Sequence, residues 1–168
     1  MKNIQIRKAQ IGDLQTIQKI ARNTIDKSYR SFLGDEGVDW FINSGESDKA
    51  LKNNLPNCDV LLKDNAIVAF TVYFDDLIHL MMVAVNLHRR GIGSELPAHS
   101  EKLLFDQDNS TIRLETFEGN SQAINFYKKN GWSVVREKED MEHGFIRVCF
   151  EKVHNNANSA DTKSLAAD

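Results

Sequence analysis

LIHLMMVAVNLHRRGIGSELPAHSEKLLF, residues 77 to 105, holds a strand, a two-glycine turn and a helix in immediate succession. Leu77 to Val83 is apolar enough for a buried strand, and Gly91 to Phe105 reads as a helix. Between them lies His88-Arg89-Arg90-Gly91-Ile92-Gly93. Gly91 and Gly93 sit where backbone can approach a ligand without a Cβ in the way. The free N–H groups and the macrodipole of a helix start favour a phosphate group, and Arg89 and Arg90 add side-chain donors. A pyrophosphate fits this chemistry. A GxG turn alone is equally a plain loop-to-helix junction, so the turn needs support from elsewhere. A dinucleotide fold wants GxGxxG and a P-loop wants GxxxxGK followed by Ser or Thr; neither is present, and Ser94 and Glu95 follow Gly93. ATP or GTP hydrolysis is set aside on that ground.

Working outward, Ile4 to Lys8 alternates as a first strand, and Ile11, Leu14, Ile17, Ile20, Ala21 and Ile25 mark one helical face. Tyr29 to Asn54 carries apolar residues among Gly and Asp and predicts short helices joined by loops. Asp59 to Lys63, the turn Asp64-Asn65 and Ala66 to Phe74 read as a hairpin, extended past Asp75-Asp76 by the Leu77 to Val83 strand. After the phosphate-type helix come a strand at Ile112 to Phe117, a helix at Asn120 to Asn130 ended by Gly131, and a closing hairpin of Trp132 to Lys138 with Phe145 to Lys152. The order βααβββαβαββ predicts an α+β domain, a mixed sheet covered by helices.

With 168 residues, the chain has room for one domain with a real core. No repeat or linker divides residues 1–153, while 154–168, with Leu165 as the one large apolar residue, is expected to be a disordered tail. A net charge of -3 gives no general attraction to nucleic acid or an anionic membrane, so any basic site is local. The apolar runs Ala66 to Phe74 and Leu77 to Val85 are too short to span a bilayer. Cys58 and Cys149 are far apart without CxxC spacing, and no basic start precedes an apolar h-region, which together predict a cytoplasmic protein without disulfides. The five histidines show no HxxxH or HExxH spacing, so no metal is expected, and no GxSxG elbow surrounds Ser94.

The support for the turn comes from LETFEGNSQAINFYKKNGW, residues 114 to 132. With HRRGIG it resembles the GNAT superfamily of N-acetyltransferases, whose loop runs Gln or Arg, two residues, Gly, one residue, Gly or Ala, and whose later motif is NxxAxxFYxxxGF. Two motifs in the expected order, on the expected element types, make the resemblance specific; it spans residues 3 to 152 in element order. The nearest motif similarity is to bacterial enzymes that acetylate ribosomal-protein N-termini. The resemblance implies a GNAT fold, a mostly antiparallel twisted sheet of about seven strands flanked by about four helices, and acetyl-CoA as co-substrate. It implies that the pantetheine arm lies along Met81, Met82 and Val83, that Arg89, Arg90, Gly91, Ile92, Gly93 and Ser94 hold the pyrophosphate, and that Asn120 is a further contact. It implies Tyr127 as the acid that protonates the leaving thiolate and Glu115, five residues before Asn120, as the base. The partner is a primary amine, of a small molecule or a protein, and a homodimer is compatible with the family.

That assignment is chemically coherent. Amines are largely protonated at neutral pH and need a base, while a neutral phenol can donate to a thiolate with a pKa near ~8.5. His79, on the strand before the turn, is a second candidate base, although a lone strand His is more often structural. A Tyr on an apolar helix face ordinarily packs, and a strand Glu is ordinarily solvated. His88 stands where the family has Gln or Arg, and Pro97 is expected inside the phosphate-type helix beyond its first turn, removing a donor and kinking it. These departures motivate an alternative, a noncatalytic acyl-CoA-binding domain. Asp75-Asp76 and the Glu137 to Glu142 run read as solvated surface. The acceptor surface is expected from Tyr29 to Asn54 and the closing hairpin.

Overall fold

The structure is a computed structural model that describes residues 3–87, 92, 94–140 and 144–155. The glycine turn (88–91 and 93) and most of the tail (156–168) therefore lie outside the described residues. Seven strands form one sheet: β1 (Ile4–Lys8), β2 (Cys58–Lys63), β3 (Ala66–Phe74), β4 (Leu77–Val83), β5 (Thr111–Phe117), β6 (Ser133–Glu139) and β7 (Ile146–Val153). Their order is β1-β2-β3-β4-β5-β7-β6. Every neighbouring pair is antiparallel except β4 and β5. Asp64 and Asn65, at φ 49° and 67°, both take the left-handed conformation that a tight β2–β3 hairpin turn requires.

The helices are α1 (Leu14–Ser28), α2 (Arg30–Leu33), α3 (Asp35–Asn43), α4 (Glu46–Asn54), α5 (Glu95–Phe105) and α6 (Ser121–Lys129). Among the described residues six replace the expected four or so, because residues 29–54 break twice. Gly34 ends α2 at φ 77°, and a second interruption at Ser44-Gly45 separates α3 from α4. Ile17, Ile20, Ala21 and Ile25 form the buried face of α1, but Ile11 lies before it in a 3-10 turn and is 76% exposed.

Alternate strand residues feed two cores. Val60, Leu62 and Val72 pack with Ile17, Val38 and Leu51 under α1, α3 and α4. On the other face Leu61 joins Ile92 and Leu96, while Leu104, Leu114, Trp132 and Phe150 form a second cluster under α5 and α6. Cys58 and Cys149 are free and buried. Among the described residues no helix is long and apolar enough to cross a membrane.

Two irregularities create the site. Val72 lies opposite Leu80 and Tyr73 opposite Ile78, so His79 is an extra residue, a β-bulge. The bulge reverses the alternation: Ile78 packs toward α5 and α6, whereas Leu80 and Met82 pack toward α1. Second, β4 and β5 pair only at Leu77 with Arg113 and Ile78 with Leu114, although β4 runs on to Val83 and β5 to Phe117. The sheet opens into a wedge whose mouth faces the starts of α5 and α6.

Pro97 is placed differently from expectation. The helix begins at Glu95, with Ser94 at the N-cap position, so Pro97 is in the first turn. An N–H there has no intrahelical partner in any helix, and its loss removes no internal bond from α5.

Candidate active site

A cleft of about 1180 Å³ fills the wedge and continues beneath α1 to α4. A ligand at the carboxyl ends of two parallel strands, where the sheet parts, has a wall of strand backbone on each side. Leu80, Met81 and Met82 line one wall, and Leu114 to Phe117 line the other. Val83 packs against the core formed by Leu61, Val68, Ala69, Ile92 and Leu96.

Of the residues expected at the pyrophosphate, Arg89, Arg90, Gly91 and Gly93 lie outside the described residues, as does His88. Ile92 is fully buried against Leu61 and Leu96, so its side chain is an anchor and only its main chain is left for a ligand. Ser94 is exposed at the start of α5, and its hydroxyl makes no cap hydrogen bond. Asn120 is the N-cap of α6: its Oδ1 accepts from the Ala123 N–H at 3.3 Å. Its amide NH2 has no partner among the described residues, and the side chain lines the cleft.

Tyr127 projects from α6 with its ring against Trp132 and Phe150, at centroid distances of 6.1 and 5.7 Å. Its hydroxyl makes no hydrogen bond to a described residue. Among those residues Thr24 Oγ1 is the only fully buried side-chain polar atom in that condition, so the Tyr127 oxygen meets the open cleft. Burial pushes its pKa up to about 12, with the Tyr29 phenol adding to the effect. Tyr29, on the opposite wall, is likewise pushed up to about 12 by burial. Both phenols are protonated at neutral pH.

Glu115 lies on β5 opposite Cys149 of β7. The Lys138 ammonium and the Cys149 thiol both approach its Oε1, at 3.8 and 3.7 Å. His79 lines the same cleft. Burial is the main cause that holds its pKa below the ordinary imidazole value, Arg147 adds to this, and Glu115 opposes it. Its ring is therefore mostly neutral near pH 7. Acid, carboxylate and neutral imidazole thus share one cavity.

The acceptor end was expected from residues 29–54 and the closing hairpin, and the cleft does run between them. Tyr29, Phe32, Phe117 and Phe145 form a connected aromatic cluster, with centroid separations of 5.1 to 6.1 Å. Arg147 stacks over Phe117 and pairs with Asp140 at 3.2 Å. Asp35, Glu36 and Trp40 of α3 complete the rim. None of these was individually legible, because aromatic and acidic residues on short helices have no spacing that separates lining from surface. Asp76 is bound to Arg113 and is no part of the cleft. Among the described residues no group of three or more His, Cys, Asp or Glu side chains could hold a metal ion.

Known proteins share this architecture. A spermidine N(1)-acetyltransferase of Thermoplasma acidophilum is 27% identical over 145 residues, covering 79% of this chain and 89% of that protein. The crystal structure of PaiA N-acetyltransferase from Thermoplasma acidophilum, in complex with coenzyme A, superposes with a TM-score of 0.74 at 22% identity, over 90% of this chain and 99% of that one. The ribosomal-protein-S18-alanine N-acetyltransferase of Escherichia coli superposes with a TM-score of 0.68 at 16% identity, over 89% and 93%. The profile of the Acetyltransferase (GNAT) family matches residues 22–132. With that match across the wedge, the α5 start and the Asn120 to Trp132 segment, the chain belongs to the GNAT acetyltransferase family and is an acetyl-CoA-dependent N-acetyltransferase.

Proposed function

We propose that this enzyme acetylates a primary amine of a small polycation of the spermidine type, by direct attack on the thioester. Charge in the cleft is the observation that carries the reading. Asp35, Glu36, Glu115 and Asp140 line it, against Arg147 as the one Lys or Arg among the described lining residues. Three of these acids have cationic partners, Asp35 with Arg30, Asp140 with Arg147 and Glu115 with Lys138. Glu36 has none among the described residues. Trp40, 53% exposed, stands at the same rim. The relative named as a spermidine acetyltransferase points the same way.

In this reading the backbone of β4 beyond the bulge and the start of α5 hold acetyl-CoA, whose thioester supplies the acyl group. Met81, Met82, Ser94 and Asn120 are its contacts, with Arg89, Arg90 and the glycine turn at the pyrophosphate. Tyr127 gives its proton to the departing sulfur. Glu115 and His79 are the two groups of the cleft able to take up the amine proton. Strand backbone and aromatic walls hold the amine beside the carbonyl and exclude water.

Release of free CoA thiol should be faster with spermidine than with a monoamine or a peptide bearing a free N-terminal alanine. The preference should weaken in high salt, because it is electrostatic. A peptide that outpaces spermidine transfers the reading to protein N-termini. Absence of thiol release with every amine ends it.

A further inference from the structure

The proton that leaves the amine needs an acceptor, and the cleft holds two candidates on adjacent strands. His79 is the extra residue of the β4 bulge, at the point where β4 parts from β5. Its ring leans on Phe74, centroids 5.3 Å apart at 53°, and lies in the cleft wall. Glu115, on the facing strand, already has an ammonium and a thiol directed at one oxygen. That is the environment of a counter-ion. Imidazole also matches a neutral working pH better than a carboxylate does.

We propose that His79 takes the proton from the attacking amine and that Glu115 stabilises the imidazolium so formed. The inference rests on the acetyl-transfer reading. The amine nitrogen forms its bond to the acyl carbon as its proton passes to a ring nitrogen of His79. The carbon–sulfur bond breaks as the Tyr127 proton passes to sulfur. Exchange with solvent at the cleft mouth returns a proton from the imidazolium to the phenolate, and the products are the amide and free CoA thiol. The charged groups acting on His79 are Glu115 from β5 and Arg147 from β7. Tyr29 at the end of α1, Asp35 and Glu36 of α3, Tyr127 of α6, and Asp140 also face the cleft. Burial and Arg147 keep the ring unprotonated until the amine arrives, and Glu115 favours the charged product.

The test is the pH profile of kcat/KM for CoA release with spermidine, on the full chain. Wild type and three variants, H79Q, E115Q and R147Q, are compared, with CoA-induced thermal stabilisation as the folding control. H79N serves as a second His79 variant if H79Q fails to fold. H79Q should lower the plateau by about 100- to 10,000-fold. E115Q removes a negative charge that favours imidazolium, so its acidic limb should move to lower pH. R147Q removes a positive charge that opposes imidazolium, so its limb should move to higher pH. A limb unmoved in both variants, or E115Q dead while H79Q retains turnover, overturns the proposal. If wild type itself releases no thiol with any amine, the acetyl-transfer reading fails first and this inference falls with it.

Discussion

Arg113 and Asp76 are joined three times at the closed end of the wedge. The Arg113 Nε donates to Oδ2 at 2.9 Å, its Nη2 donates to Oδ1 at 2.7 Å, and its backbone N–H donates to the Asp76 carbonyl at 2.7 Å. Asp76 immediately precedes β4, and Arg113 of β5 is the partner of Leu77 in the first of the two residue pairs that join these strands. The clamp fixes where the sheet stops being continuous. From there β4 bulges at His79 and the strands separate, so the cleft opens in one direction only, toward the starts of α5 and α6.

Asp76→Asn should loosen that closed end. The hydrogen bond from Arg113 is the main cause that lowers the Asp76 pKa. A carboxyl whose folded pKa is depressed stabilises the fold above its unfolded pKa and loses that contribution as pH falls through the folded value. Both side chains are partly exposed, at 44% and 33%, so screening limits the effect to about 1 kcal/mol, a few degrees in Tm. Thermal melts across pH should show the variant lagging wild type at pH 7 and the two converging below about pH 4. A gap that persists in acid would point to the backbone rather than the ion pair.

Tyr127→Phe keeps the ring between Trp132 and Phe150 and removes only the hydroxyl proposed as the proton donor. kcat should fall about 100- to 10,000-fold with little change in CoA affinity. Because burial pushes the phenol up to about 12, wild-type turnover should show no basic limb from this group below about pH 10. Steady-state rates together with CoA titration separate the outcomes. Equal loss of rate and CoA binding would make Tyr127 a packing residue.

Sheet and helices were readable because period-2 and period-3.6 patterns survive in the sequence wherever one face is buried, as in α1 and β1. The family motif pointed to Asn120 and Tyr127, and both line the cleft. The bulge at His79 was not, since one inserted residue in LIHLMMV leaves an apolar run that looks continuous. The same blindness hid the wedge: β4 and β5 each read as an ordinary strand, and nothing local says that two strands pair for two residues and then part. Pro97 was misread because the helix start was drawn at Gly91 rather than Glu95, a shift that moved it across the first-turn boundary.

Gly119 and Phe32 bring the acceptor side and the α6 side together. A Cβ placed on Gly119 would overlap the Cβ of Phe32, which belongs to α2. Gly119→Ala should therefore displace the aromatic cluster of Phe32, Tyr29 and Phe117 and disturb the turn that presents Asn120. A small-to-large change in such a contact costs about 1–3 kcal/mol. Melting temperature should drop by several degrees, and KM for the amine should rise more than KM for acetyl-CoA. Phe32→Gly in the same chain removes the colliding Cβ, so the losses of the two changes should be less than additive; additive losses would place the strain elsewhere.

Asp59 ties α5 to the sheet from the side remote from the cleft. Its buried carboxylate accepts from the Tyr73 hydroxyl at 3.2 Å and meets His99 Nε2 of α5 at 3.0 Å, while the Lys8 ammonium donates to the same Tyr73 oxygen at 2.8 Å. At the next residue of α5, the Ser100 hydroxyl reaches Thr71 Oγ1, which in turn donates to the Leu80 carbonyl beside the bulge. A helix proposed to present its N-terminus to a pyrophosphate has to hold its axis, and these polar contacts fix it where the apolar packing of Leu96 and Leu104 could slide. Asp59→Ala leaves the Tyr73 hydroxyl and the His99 ring without their acceptor in a mostly dry site, at about 1–3 kcal/mol. CoA affinity should weaken by several fold while the pH dependence governed by His79 stays in place, since Asp59 is outside the cleft lining. Calorimetric CoA titration and thermal melts check both halves, and unchanged affinity in a destabilised variant would show that the packing of Leu96 and Leu104 alone holds α5 in line.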